Sequence, residues 1–417
     1  MEQRVQRQMK TQQRSEEKQG VSVIDGAATL SGVGLTKLLL TLHNQPDKKN
    51  NNDATTTTTT TAMNNVKEEI MEAIETSTEM LLESRHDAIH SPKHFELAID
   101  LGIAASISLT NLGIVNCILM RDKVKSIESW KRGLDTLDTI LGDAMNTGVI
   151  IPRHKFMWME SIRARLHCDI ACLLLGLEEE EDSLTVRKVK KLEEETLKHA
   201  SEAAKKGLDI YDELINGAKI LRGEGSDGSG DNVQDGSEED HENKKEWERI
   251  LKQEVEKKQE NEADKPPEVQ LSHLWIDYHR CESARALGLV AHCYAQAGAA
   301  VTSEGLFQSA LDASSSFPFG KSLRSSNTNV SDDGKGIALS SPNLGLIARD
   351  VRMWYAMLCN NWEKRKGDAD RLLADAETID SEMIFQGYDS LEEGKKKRVS
   401  GMISSLWLFN PIDFERK

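Results

Sequence analysis

The residues best equipped for chemistry in this chain are its histidines and cysteines, and their spacing decides how much they can do. His86, His90 and His94 stand at i, i+4 and i+8, which on an unbroken helix would turn three imidazoles toward one metal ion. Pro92 falls inside that run, and a helix-interior proline removes a hydrogen bond and clashes with the preceding turn, so the set reads as a polar helix end. His167, Cys168 and Cys172 form a second group, with the cysteines four apart. Structural zinc sites need a second ligand pair, and none follows, so these read as small groups facing a neighbouring helix, as do His292 and Cys293 beside Tyr294. The stretch Ser31–Lys37, SGVGLTK, lacks the glycine, four residues, glycine, lysine order of a phosphate loop and reads as a loop. Lys395, Lys396, Lys397 and Arg398 form a basic cluster that reads as a solvated helix start, with nuclear import as the alternative. Ser91–Pro92 and Ser341–Pro342 suit helix caps or proline-directed phosphorylation. The sequence therefore predicts no catalytic, cofactor-binding or metal-binding residue.

Helices must position these groups. The chain has 417 residues but only eight prolines, and none lies between Pro152 and Pro266. Since an interior proline costs about 3 kcal/mol, that avoidance predicts helix. Ile127, Trp130, Leu134, Leu137 and Leu141, preceded by Val124, step by three and four along one helix face starting at Asp122, with Gly142 as its expected stop. After Pro152 the pattern resumes through Phe156, Met159, Ile162, Leu166, Ile170 and Leu173 to Gly176. A long helix is expected over 185–222, another from Leu274 to Gly298, a partner through Ser303, Phe307 and Ala310, and two more over 342–366 and 368–380.

The net charge of −16 is local. Most of it lies in the run Glu178–Asp182 and in the Gly/Ser/Asp-rich stretch 223–243, so the helices are close to neutral. That argues against a basic nucleic-acid surface and against a field that steers an acidic substrate. The six cysteines sit in apolar helical patterns, as reduced intracellular thiols do. The first 20 residues resemble neither a secretory signal nor a transit peptide, and no run of 18 uninterrupted apolar residues occurs. The expected location is cytoplasmic, with no membrane, nucleic-acid or small-molecule partner.

Several segments resemble the tetratricopeptide repeat, a helix pair in which small residues permit close approach and aromatics fill the gap. In the clearest, Leu287, Val290, Ala291 and Tyr294 lie on the first helix, Gly298 makes the turn, and Ser303, Phe307 and Ala310 follow on the second, with Pro318 after it. Glu304 lies off that face, and a change there is expected to matter little. Leu112–Gly113 with Ser126, Trp130, Gly133 and Leu134 form a second match; Gly176 with Ala200, Ala204, Gly207 and Leu208 form a third; Gly367–Asp368–Ala369 matches at the turn alone. The spacing between copies is not fixed, so an irregular helical bundle is the alternative.

The resemblance implies an all-α, tetratricopeptide-like α-solenoid of antiparallel helix pairs with long disordered insertions. Composition and helical spacing divide the chain into a low-complexity region 1–65, a first helical block 66–222, an acidic insertion 223–268 with a charged helix, and a second block 269–417. That second block holds a loop 314–341 and an apolar C-terminal segment, 402–417, which either caps the last pair or binds another protein. The implied function is a non-catalytic protein–protein interaction scaffold, or adaptor, that takes a peptide or helix of another protein in a groove. The alternatives are a subunit of a larger assembly and an enzyme on a helical scaffold. The carboxylate-clamp residues by which some family members hold chaperone tails are not matched: Arg163 and His167, with Asn111 and Asn116, supply only part of the set.

Overall fold

The computed structural model describes Ala27 and residues 56–89, 94–177, 192–221, 268–315 and 341–387. Among these residues there are nine α-helices and no strand: α1 (Thr56–Ile89), α2 (Phe95–Val115), α3 (Lys123–Thr147), α4 (Arg153–Leu174), α5 (Glu194–Leu221), α6 (Glu268–Gln296), α7 (Ala300–Ser315), α8 (Ser341–Asn360) and α9 (Lys366–Gly387). The acidic insertion, the loop within the second block, the Ser31–Lys37 stretch, His90, the Ser91–Pro92 pair, the Lys395–Arg398 cluster and the C-terminal segment lie outside the described residues.

Every helix packs on the next in sequence, and α2 touches α4, α4 touches α6, and α6 touches α8. The turns between adjacent helices follow from local chemistry. A π turn, Asn116–Met120, ends at Arg121 with φ 53°, and Asp122 then accepts a hydrogen bond from the Lys125 amide to cap α3. Gly176 (φ 67°) and Gly298 (φ 82°) supply the left-handed residue that ends α4 and α6.

Three boundaries differ from expectation. α1 begins at Thr56, inside the expected low-complexity region 1–65. Threonine costs only tenths of a kcal/mol per helical position, so a helix anchored at Ile70 and Ile74 propagates back through it. α3 passes through Gly142 and stops at Gly148, whose φ of 68° makes the actual left-handed cap. α2 starts at Phe95, with His94 at its N-cap, not directly after Ser91–Pro92.

The core seam of α3 is also rotated from the large-apolar stripe. Ser126, Trp130, Gly133, Leu137, Ile140 and Ala144 are buried, whereas Val124 is 67% exposed. The reason is that small residues fix the helix crossings. A Cβ on Gly113 would lie 2.2 Å from the Trp130 indole nitrogen, and one on Gly207 would lie 2.8 Å from Cys168 Sγ. On Gly288 it would meet the Trp354 ring at 3.0 Å. Trp130 donates its indole N–H to the Thr110 carbonyl at 3.2 Å, so the buried aromatic is fully satisfied. Ser126–Trp130–Gly133, Ala200–Ala204–Gly207 and Ser303–Phe307–Ala310 are three buried triplets at i, i+4 and i+7 on α3, α5 and α7. The same spacing continues on α9 with Ala369, Leu373 and Ala376, beyond the turn that the sequence matched. Phe307 stacks on Tyr355 of α8 at 5.3 Å, while Tyr294 is half-buried and lies under the Lys205 ammonium.

Candidate functional site

Charged side chains line the contact between α4 and α6. Each helix carries them within a small apolar face: Arg165 and Asp169 beside Ala164, Cys168 and Cys172 on α4, and Glu282 and Arg285 beside Cys281, Ala284 and Ala286 on α6. All four charged residues are almost wholly buried. Arg165 pairs with Glu282, and Arg285 pairs with Asp169 at 2.7 Å. The two pairs run in the same order along both helices, so α4 and α6 lie parallel here.

Glu282 is the centre of this seam. One carboxylate oxygen accepts from Arg165 and from the Tyr278 hydroxyl at 2.9 Å. The other accepts from Ser161 Oγ at 3.3 Å and from the Tyr211 hydroxyl at 3.2 Å. A carboxylate offers about four acceptor positions, and here donors from α4, α5 and α6 fill them. Arg165 also donates to the Tyr278 oxygen at 2.6 Å. His279 lies beside this group, with its ring edge-on to Tyr278 at 5.4 Å.

Burial sets the proton chemistry. It would lower the Arg165 and Arg285 guanidiniums, but Glu282 and Asp169 outweigh it and hold both firmly charged. Burial raises the Tyr211 and Tyr278 hydroxyls, with Glu282 reinforcing the shift, so both stay protonated donors. It pushes the Cys168 thiol up to about 12 and lowers His279 to about 4. A buried ion pair is weak evidence for net stability, because desolvation offsets much of the attraction. What two same-order pairs around a saturated carboxylate do supply is register: a one-residue slip of α6 would bury charges without partners.

Further ion pairs join other helices: Arg85 of α1 to Asp143 of α3 at 2.5 Å, Lys155 of α4 to Asp100 of α2 at 2.7 Å, and Arg163 of α4 to Asp138 of α3 at 2.6 Å. Burial opposes the charge on Lys155, yet Asp100 and Glu96 raise its ammonium above the usual lysine value. Arg365, in the short turn Glu363–Arg365, reaches Glu304 of α7, whose carboxylate also accepts from the Tyr355 hydroxyl at 3.2 Å. Glu304 therefore bridges α7, α8 and the turn before α9, a contact that its place off the motif face did not announce.

The residues singled out in sequence do not converge. α1 ends at Ile89 and α2 begins at Phe95, so His86 and His94 share no helix. No group of three or more metal-ligating side chains occurs among the described residues. His167 is lowered to about 4 by burial, then by Lys206 and Arg163, and Cys168 packs against Gly207. His292 and Cys293 are buried, with the thiol pushed up to about 12. Asn111 and Asn116 are buried in α2 and its π turn, and Arg163 is held by Asp138 and Glu160. The segment Phe95–Ile118 is long and apolar enough to cross a membrane by length and composition, and most of it is buried among the other helices. Sequence reasoning missed the α4–α6 seam. Its signal was Arg165/Asp169 and Glu282/Arg285 at helical spacing inside faces otherwise built of alanine and cysteine.

The chain is thus an all-α protein whose helices pack in sequence order and are pinned by a central charged seam. No protein-family model matches it, nor does any curated protein or solved structure.

Proposed function

We propose that this chain is a non-catalytic protein–protein interaction scaffold of tetratricopeptide-like build. In this reading α2–α3, α4–α5, α6–α7 and α8–α9 are four antiparallel pairs stacked into a curved array. The observation that carries it is the contact pattern: each helix meets the next, and α2, α4, α6 and α8 also meet in turn. That is the neighbour relation of a stacked helix-pair array, in which contacts stay local and a continuous face is left for a partner. The triplets on α3, α5, α7 and α9 support the same reading, since equivalent positions recur at equivalent spacing. The cytoplasm is the proposed location, and the partner is a peptide or helix of another protein.

Affinity purification of the full chain, followed by reconstitution with the purified candidate, tests this. The expected result is a stoichiometric complex that slows hydrogen exchange on α4, α6 or α8, since α2 is buried throughout from Leu101 to Val115. Protection confined to α3, α5, α7 or α9, or no reconstituted complex, would sink the groove reading. A second reading, a subunit of a larger assembly, is favoured by Val124, Met145, Ile150 and Val301, apolar side chains 67%, 65%, 63% and 86% exposed near the turns. It predicts that the protein migrates in lysate with a large complex and that the isolated chain self-associates.

A further inference from the structure

Three carboxylates from three helices share one guanidinium where α3 and α5 pack on α4. Glu160 of α4 is 7% exposed, and its Oε1 lies 3.4 Å from Nη1 of Arg163, one turn along the same helix. That contact is one of charge alone. The buried Oε1 receives no hydrogen bond among the described residues, and the buried Arg163 Nε has no acceptor there either. Arg163 donates instead to Asp138 of α3 at 2.6 Å, whose side chain is 65% exposed. Glu213 of α5 is the third acid, close enough to act on Glu160 through its charge.

Burial raises the Glu160 carboxyl above its usual range; Arg163 pulls it down, and Glu213 and Asp138 push it up again. Those three are the charges that act on it among the described residues, so α2 and α6 contribute none. His167, further along α4, is faced by Lys206 of α5 and by Arg163. We propose that this three-helix joint is a proton-sensitive lock: proton uptake by Glu160 tightens α3 and α5 on α4, and proton loss loosens them. Neutralising Glu160 removes two repulsions and the desolvation cost of its charge, and it leaves Arg163 with Asp138. A carboxyl that holds its proton more firmly in the folded joint than in the unfolded chain stabilises the joint fully below the ordinary glutamate value. That contribution is lost as pH rises through the folded value. In the scaffold reading α3 closes one helix pair and α4–α5 forms the next, so the lock sets how firmly the two pairs are joined. The lock itself rests only on the contact of the three helices.

The test is hydrogen exchange of the full chain, read over residues 134–141 of α3 and 207–214 of α5 from pH 5 to 7.5 and corrected for the intrinsic rate. At pH 7.5 Glu160→Gln should slow exchange there several-fold, and its difference from the unsubstituted chain should shrink as pH falls. His167 is present in both chains, so its own titration cancels in the difference. Glu213→Gln removes one repulsion and keeps Glu160, so it should move the pH profile of the joint to lower pH. A purely structural role for Glu213 would change protection equally at every pH. Faster exchange in Glu160→Gln at pH 7.5 would show that the ionised carboxylate holds Arg163 as an ordinary ion pair, and would overturn the lock. A difference that stays constant with pH would overturn it too. If Glu160→Gln does not fold, a Glu213→Gln profile that remains in place does the same. None of these outcomes depends on a partner protein, so failure here is separable from failure of the scaffold reading.

Discussion

At the residue scale, Glu282 shows how one side chain can tie three helices. Its carboxylate is taken up by donors from α4, α5 and α6, so removing a single donor leaves a buried charge short of its partner. Arg165→Met is expected to cost ~3–5 kcal/mol in urea unfolding. Combining it with Glu282→Met should cost clearly less than the sum of the two single changes, because the double variant buries neither charge. Strict additivity would show that the pair is uncoupled. Histidines give the pH dependence its sign. Burial alone lowers His292 from 6.5 to about 4, so the imidazole is neutral when folded. Between those values the unfolded chain binds the extra proton, so stability rises with pH across the window and is lost as pH falls from 6.5 toward 4. His167 and His279 act in the same direction, whereas buried Glu160, raised by desolvation and only partly countered by Arg163, acts in the opposite one. His292→Gln should therefore make the acid-side slope of unfolding free energy shallower without abolishing it. An unchanged slope would mean that His292 is already solvated in the folded protein.

At the scale of elements, glycines separate crossing points from ordinary helix. Gly113→Ala places a methyl against the Trp130 indole and should destabilise by ~1–3 kcal/mol through overpacking. Gly142→Ala, in the same helix pair but with nothing within 4 Å of the added Cβ, should stabilise by ~0.5–1 kcal/mol through helix propensity. Thermal unfolding of the two variants should shift in opposite directions, and a shared direction would mean that the α2–α3 crossing is misplaced. Phe307→Ala removes a fully buried ring stacked on Tyr355 and should cost ~3–5 kcal/mol. Glu304→Ala opens the partly exposed clasp to Arg365 and Tyr355, and should cost ~1 kcal/mol, well short of the aromatic but measurable.

For the whole molecule, the α5–α6 and α4–α6 contacts join helices on the two sides of residues 222–267. A protease site engineered into that stretch should therefore yield two fragments that co-elute under native conditions and part only in denaturant. The buried seam, with Arg165, Asp169 and Tyr211 on one fragment and Glu282 and Arg285 on the other, would hold them together. Fragments that separated while each kept its helical circular dichroism would show two independent units, and the single-array reading would fall.

Helicity was determined by the sequence itself. Proline placement, three-and-four spacing and the turn glycines Gly176 and Gly298 act within a few residues of chain, so they can be read without knowing what packs on what. The same holds for Phe307 and Trp130 as buried aromatics, each surrounded by its own small residues. Tertiary structure decided which face of α3 turned inward, because Ser126 and Gly133 beat Val124 to the core only when α2 and α4 come close enough to need small residues. It also decided that α3 runs through Gly142, and that Glu304 is a clasp. The charged seam depended on tertiary structure most of all. Arg165 and Glu282 are 117 positions apart, and a lone charged residue in an apolar helix face looks the same in sequence whether it is destined for water or for a partner. Only the juxtaposition of α4 and α6 supplies the opposite charge that makes burial tolerable.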